Sequence, residues 1–254
     1  MWNTIIIDPM MNLLLWIYSI LWHNFGLAII VFTILIRLVT HPLTVQQLKG
    51  SQAMADLQKS KKFQELQKKY KDDKEKLQQE TIKLYQELGI NPLASCLPTI
   101  IQFPIMIGLY QAIMWLMSVT PGQLLNFVRH IYPFINASSL IPINNRFLWM
   151  DLAQPERVNI FGVGIPVLAI LVVITTYMQS KMMTPPSTSP GNQGAAMAQS
   201  MTLMMPLFMG YIAYLYSSGL ALYFLIGNII YMVQYAAMGK LNWRAMLPKF
   251  LLRT

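Results

Sequence analysis

Along the chain, long apolar runs alternate with polar stretches of unequal length. Five runs are long enough to cross a bilayer, at about residues 24–41, 92–117, 160–182, 199–216 and 220–238. A spanning helix needs roughly 20 mostly apolar residues at about 1.5 Å rise each. Ahead of the first run, "MMNLLLWIYSILWHNFG" reads as an external interfacial helix within residues 1–23, with Trp16 and Trp22 as anchors. No basic segment precedes it and no small-residue cleavage site follows, so it is not read as a signal peptide. Asn91 and Pro92 suit the start of the second run, as a cap and a first-turn proline. Pro98, Pro104, Pro166 and Pro206 fall inside runs and are expected to bend them, with neighbouring helices satisfying the freed carbonyls.

The polar stretches have their own patterns. Residues 42–91 predict a helical hairpin. In "DDKEKLQQETIKLYQELG" Asp72 is the expected cap, with Glu75 three residues on. Leu77, Thr81, Leu84, Tyr85 and Leu88 share one face, and Gly89 ends the helix. The partner helix, roughly 44–70, carries Phe63, Leu66 and Tyr70 at helical spacing. Residues 118–159 form a loop, residues 183–198 a Pro/Gly/Ser-rich loop, and residues 239–254 a basic tail after the fourth and fifth spans at 199–238.

Composition agrees with the pattern. The chain is 55% hydrophobic and only 11% charged, against about 25% charged in an ordinary soluble domain. An all-α integral membrane protein follows. The net charge of +9 matters through its placement. Ten lysines fall in residues 42–91, and Lys240, Arg244, Lys249 and Arg253 in the tail, while the segment before the first span has no lysine or arginine. Cytoplasmic loops collect Lys and Arg, so the N-terminus is expected outside and the hairpin, the 183–198 loop and the C-terminus in the cytoplasm. The hairpin reads either as a solvated pair of helices beside anionic lipid or as a docking arm for ribosome, translocon or incoming chain.

Polar residues recur inside the spans. Thr33, Arg37 and Thr40/His41 share a face of the first. Ser95, Thr99 and Gln102 do so in the second, Thr175, Thr176 and Gln179 in the third, and Phe224, Asn228, Tyr231 and Tyr235 in the fifth. All lie in the cytoplasmic half, which is the pattern of a hydrated cavity open to the cytoplasm. Two readings of Arg37 stand. It lies five residues before Pro42, about 7 Å from the helix end, where an arginine can snorkel to the headgroups. Alternatively it charges the cavity and draws in an acidic, extended peptide. The isolated threonines and glutamines also fit ordinary helix–helix contacts. The abundant methionines read more readily as lipid-facing filler than as a pliable client surface.

Catalytic residues are missing from the pattern. No Asp or Glu lies in any of the five runs, which argues against a proton-coupled pump. No HExxH, GxSxG or phosphate-binding loop occurs, and the single Cys96 with three scattered histidines builds neither a disulfide nor a zinc cage. No enzyme activity, cofactor, metal or specific nucleic-acid recognition is expected.

Four stretches then carry a resemblance. "NPLASCLPTIIQFPIMIGLYQAI" resembles the NPL-x-x-C-x-P…Q-x-P signature of the YidC membrane insertases. "ILIRLVTHPLT" is similar to their first span, "FLWMDLAQP" to their external motif and "SSGLALYFLIGNIIYMVQ" to their last span, in the family's order over residues 25–240. The resemblance implies five transmembrane helices around a positively charged, cytoplasm-open hydrophilic groove, with a mobile cytoplasmic hairpin. It implies insertion and folding of small membrane proteins, alone or beside the Sec translocon. It places Arg37, Thr33, Gln102, Gln179, Phe224 and Asn228 in the groove. Phe224 stands where many relatives have Trp or Tyr, and "LQKSKKFQEL" lacks a hairpin proline. The expected partners are nascent membrane protein clients and the lipid bilayer of the bacterial cell membrane. The Sec translocon, ribosome and signal recognition particle receptor are further candidates. The competing function is a small-solute channel or transporter.

Overall fold

The computed structural model describes residues 1–70, 73–89, 97–116, 128–133, 135, 140, 143–160, 163–183 and 193–238. The described chain divides into two compact units. The first comprises Met1–Val39, Gln102–Thr176 and the chain from Pro206 through the last helix; the second comprises Thr40–Ile101 and Tyr177–Met205.

In the first unit a wide helical turn, Asn3–Ile7, runs into α1, Asp8–Ile20. Pro9 is tolerated in the first turn because a proline there forfeits no intrahelical bond. Trp22 and His23 adopt positive φ values of 48° and 56° and reverse the chain. The Asn24 side chain then caps α2, Phe25–Val39, by accepting from the Leu27 amide at 3.1 Å. Met11, Leu14, Leu15 and Tyr18 on α1, and Phe25, Ala28, Ile29 and Phe32 on α2, are buried. Each set repeats at three- and four-residue steps, so each marks one face of a helix. These faces form the core with Leu109, Ala112 and Ile113 of α6, Leu97–Leu116, and with Leu220, Ala221 and Tyr223 of the last helix, Ser218–Ala237.

The N-terminal helix also carries polar groups inward. Asn12 is buried; its amide donates to the His130 carbonyl at 2.9 Å and its oxygen accepts from the Tyr132 amide at 2.8 Å. His130 Nδ1 lies 3.0 Å from Asp8 Oδ1. These contacts tie α1 to residues 128–133.

The outer faces are apolar too. Ile34, Leu35 and Leu38 of α2, and Ile229 and Val233 of the last helix, are exposed. A helix apolar on both its packed and its open side is suited to lipid rather than water. Among the described residues, two helices can cross a membrane by length and composition, Asn3–Ile20 and Ser218–Ala237, and three if Phe25–Val39 with His41–Met54 counts as one broken span. Gln102–Leu116, Val167–Met182 and Thr202–Leu215 are shorter apolar helices. The N-terminal segment, expected to lie along the interface, therefore has the length and hydropathy of a span.

The chain is not wholly helical. Strands β1 (Arg146–Phe147) and β2 (Met150–Asp151) pair antiparallel, as do β3 (Val158–Ile160) and β4 (Val163–Ile165). The run expected as a helix from residue 160 thus begins as a strand, and its helix, α7, spans Val167–Met183. Val158, Ile160, Val163 and Ile165 are β-branched and Pro166 cannot sit mid-helix without losing a bond, so the apolar run splits there. Pro166 precedes the helix, with the Ile170 amide donating to its carbonyl at 3.1 Å, rather than bending it. Pro104 in α6 and Pro206 in α8 (Gln193–Leu215) do lie inside helices.

This extended segment is pinned to the start of the last helix, α9. The Ser218 amide donates to the Gln154 carbonyl at 2.8 Å, and the Ser218 hydroxyl donates to the Asp151 and Gln154 carbonyls. The Gly219 amide reaches the Leu152 carbonyl at 3.1 Å. A Cβ at Gly219 would itself lie 3.1 Å from that oxygen, a tight contact, so glycine favours the close approach. Glu156 is buried; one oxygen accepts from Trp149 Nε1 and the other from the Leu168 amide, both at 3.0 Å. Its carboxylate thereby caps the positive end of α7.

In the second unit α3 is His41–Lys59, α4 Lys61–Lys69 and α5 Lys74–Glu87. The single helix expected over 44–70 is broken at Ser60, whose extended backbone ends α3 and whose hydroxyl accepts from the Phe63 amide at 3.3 Å. Leu57, Phe63 and Leu84 close a small apolar cluster against which Tyr85 packs. Burial pushes the Tyr85 hydroxyl above the usual tyrosine range. The cap of α5 is Asp73 rather than the expected Asp72: its carboxylate accepts from the Lys76 amide at 3.1 Å. That bond is the main reason the Asp73 carboxyl lies below its ordinary value. Asp72, Asn91, Pro92, Ser95 and Cys96 fall outside the described residues.

Candidate functional site

Arg37 sits in the last turn of α2 and is half-buried. Its neighbour is α9, which packs along α2. The guanidinium lies against the bare backbone of Gly227: a Cβ there would meet Nη2 at 2.8 Å and Nε at 3.3 Å. Two turns on, Gln234 Nε2 donates to the Arg37 carbonyl at 3.3 Å. Tyr231, between them on α9, is 1% exposed and its hydroxyl has no hydrogen-bond partner among the described residues. The same holds for Gln234 Oε1. A buried polar atom left dry costs about 1–3 kcal/mol, so this corner suits a hydrated site better than a sealed one.

The other expected residues distribute as follows. Gln102 Nε2 donates to the Tyr223 hydroxyl, which joins α6 to α9 one turn before Gly227. Asn228 is buried and donates to the Thr176 and Thr175 hydroxyls, at 2.8 and 3.1 Å, joining α9 to α7. Phe224 is half-buried, its ring tilted against Tyr223 at 5.7 Å between centroids. Thr33 is fully buried on the core face of α2, and its hydroxyl donates to the Ile29 carbonyl at 2.6 Å. Gln179 is half-buried and belongs to the second unit.

Helix α9 is thus the common wall. Tyr223, Gly227, Tyr231 and Gln234 recur at steps of four, four and three along it, while Phe224 and Asn228 occupy the adjoining face. Tyr223, Gly227 and Gln234 are the residues that the sequence reading left out. Tyr223 and Gln234 are polar and were open to inclusion by helical spacing with Tyr231, whereas a glycine in an apolar run carries no polar signal. Among the described residues, no group of three or more His, Cys, Asp or Glu is placed to hold a metal ion. The site offers one guanidinium, phenol hydroxyls and carboxamides. Those groups bind carboxylates, peptide groups and water.

Known proteins resemble the chain along most of its length. The pattern of the 60Kd inner membrane protein family matches residues 16–244. A protein of Oceanobacillus iheyensis named membrane protein insertase YidC is 35% identical over 239 residues, covering 92% of this chain and 81% of that one. The membrane protein insertase MisCA of Bacillus subtilis is 34% identical, covering 92% of this chain and 77% of its own. A crystal structure described as an active YidC insertase with its first transmembrane domain resolved superposes with a TM-score of 0.57 at 23% identity. It covers 92% of this chain, which spans 47% of that longer one, and the likeness speaks to the fold. With a family pattern running through nearly the whole chain and insertases among its similar relatives, the chain belongs to the 60Kd inner membrane protein family of YidC insertases.

Proposed function

We propose that this chain inserts and folds small membrane proteins through a positively charged hydrophilic groove, open to the cytoplasm and to lipid, around Arg37. The observation that carries the reading is the Arg37 guanidinium held against Gly227 of α9, the helix that also carries two buried polar atoms, Tyr231 Oη and Gln234 Oε1. A charged side chain at mid-bilayer costs about 2.5–3.5 kcal/mol on insertion scales; water in the groove lowers that cost. A client's short acidic external segment is drawn toward Arg37. Gln102, Phe224 and Asn228 supply polar and aromatic contact to the passing segment, and Thr33 stands with Arg37 on the first wall. The client's apolar helix then moves along the protein–lipid face, and its own burial in lipid drives release. The chain crosses the membrane five times, with the N-terminus outside and the C-terminus in the cytoplasm. The hairpin, rich in lysine, faces anionic headgroups and meets the ribosome, the signal recognition particle receptor or the Sec translocon.

The test is insertion of a small, single-span, acidic-tailed protein into liposomes holding only this purified chain. Protease protection of the tail is scored for the native protein and Arg37→Ala. The expected result is protection with the native protein and its loss with the variant. Equal protection with both would discard Arg37 as the attractant. No protection with either, together with a saturable solute flux in liposomes without client, would replace the insertase reading by a transporter.

A further inference from the structure

We infer that Gly227 is a positioning residue for the Arg37 charge, an inference that rests on the charged-groove reading above. The three atoms nearest a Cβ built on Gly227 all belong to the Arg37 guanidinium: Nη2 at 2.8 Å, Nε at 3.3 Å and Cζ at 3.5 Å. Gly219 differs. There the nearest atom is a backbone carbonyl, and Ile29 and Ile113 side chains follow at 3.2 and 3.3 Å, so its glycine serves the packing of the scaffold. At Gly227 the three nearest atoms all belong to the movable end of one long side chain.

The glycine therefore acts as a flat seat. A planar guanidinium can rest on a helix backbone only where no Cβ projects. Gln234 holds the other end of the same residue through the Arg37 carbonyl. Backbone and tip are fixed by one helix, seven residues apart on it. Removing the seat moves the charge without moving α2. A methyl at Gly227 displaces Nη2, because the backbone on both sides is helical and the side-chain tip is the softer element. Coulomb attraction and charge-assisted hydrogen bonds both depend on where that tip lies. Lysine at position 37 would escape this control, since its ammonium is a compact point charge without a plane to seat.

The experiment is a cycle of Arg37→Ala and Gly227→Ala, singly and together, in the liposome assay. Two clients are used, one with an acidic tail and one with the same tail neutralised to Asn and Gln. Gly227→Ala is expected to lower insertion of the acidic client toward the Arg37→Ala level. It should spare the neutralised client and add no further loss once Arg37 is alanine. Equal loss with both clients, or the same proportional loss in the Arg37→Ala background, would make Gly227 a packing residue and overturn the inference. If Gly227→Ala does not fold, the comparison is made in Arg37→Lys. There Gly227→Ala should leave folding and acidic-client insertion unchanged, and a loss of either would overturn the inference. If Arg37→Ala inserts the acidic client as well as native protein, the groove reading itself fails, whatever Gly227 does.

Discussion

Replacing Asn228 by alanine tests whether the polar contacts between α7 and α9 act as one energetic unit. Its amide serves two hydroxyls, Thr176 at 2.8 Å and Thr175 at 3.1 Å, and the residue is 7% exposed. Interhelical side-chain bonds in membranes average about 0.6 kcal/mol each, with a maximum of about 1.7. Two of them therefore contribute about 1.2 kcal/mol. No large additional penalty is expected at Thr175, because its hydroxyl still donates to the Leu171 carbonyl at 2.8 Å. For a chain of this size about 1.2 kcal/mol lowers Tm by about 2–5 °C. Thermal unfolding in detergent micelles, followed by the emission of the six tryptophans, reads that shift. The decisive version adds Thr175→Val with Thr176→Val. The Asn228→Ala loss should largely vanish in that background, since its partners are gone. If the effects instead add to within about 0.3–0.5 kcal/mol, the contacts carry no coupling and the reasoning is wrong.

Two further predictions concern the parts that flank the site. Glu156→Gln keeps one acceptor but turns an amide toward a donor, either the Leu168 amide or Trp149 Nε1; losing a bond to a charged group should cost about 1.5–3 kcal/mol in the same unfolding assay, and an unchanged Tm would remove Glu156 as the α7 cap. The Asp73 carboxyl is lowered chiefly by its bond to the Lys76 amide, so its support for α5 is present above the ordinary aspartate value, about 3.9, and is lost as pH falls through the depressed folded value. Hydrogen-exchange protection of the Lys76 and Leu77 amides, corrected for intrinsic rate, should fall in that acidic window and already be low at neutral pH in Asp73→Ala. Protection that is flat through the window, or equal in the variant, would contradict this.

Several features of the site were legible from residue type alone. Arg37, Gln102 and Asn228 are conspicuous because each is polar within an apolar run. The structure gives each a contact on α9 or, for Asn228, on α7. Thr33 was equally conspicuous, yet its hydroxyl is satisfied one turn back in its own helix. A threonine can always bond its i−4 carbonyl, so its presence in a stripe does not show which way its polarity is used. The polar, lysine-rich character of residues 42–89 was legible, whereas its break at Ser60 and its cap at Asp73 were not. Ser, Asp and their neighbours offer several equivalent capping choices in sequence, and local geometry selects one.

The sequence by itself determined the solvent of this protein and the kind of chain it is. Long apolar runs with few charges have no stable solution in water. Family membership was likewise readable from four motifs in order. Tertiary structure alone decided the partners: Tyr223 for Gln102, 121 residues away, and the two threonines for Asn228, 52 and 53 residues away. Helical periodicity specifies which residues share a face of one helix, but not which face of another helix meets it. The third apolar run shows the same limit, yielding the paired strands β3 and β4 and then a helix start, because hydropathy does not distinguish them. Gly227 shows it most clearly. In the sequence it is a small residue in a helix, and only the arrival of the Arg37 guanidinium on its backbone gives the missing side chain a purpose.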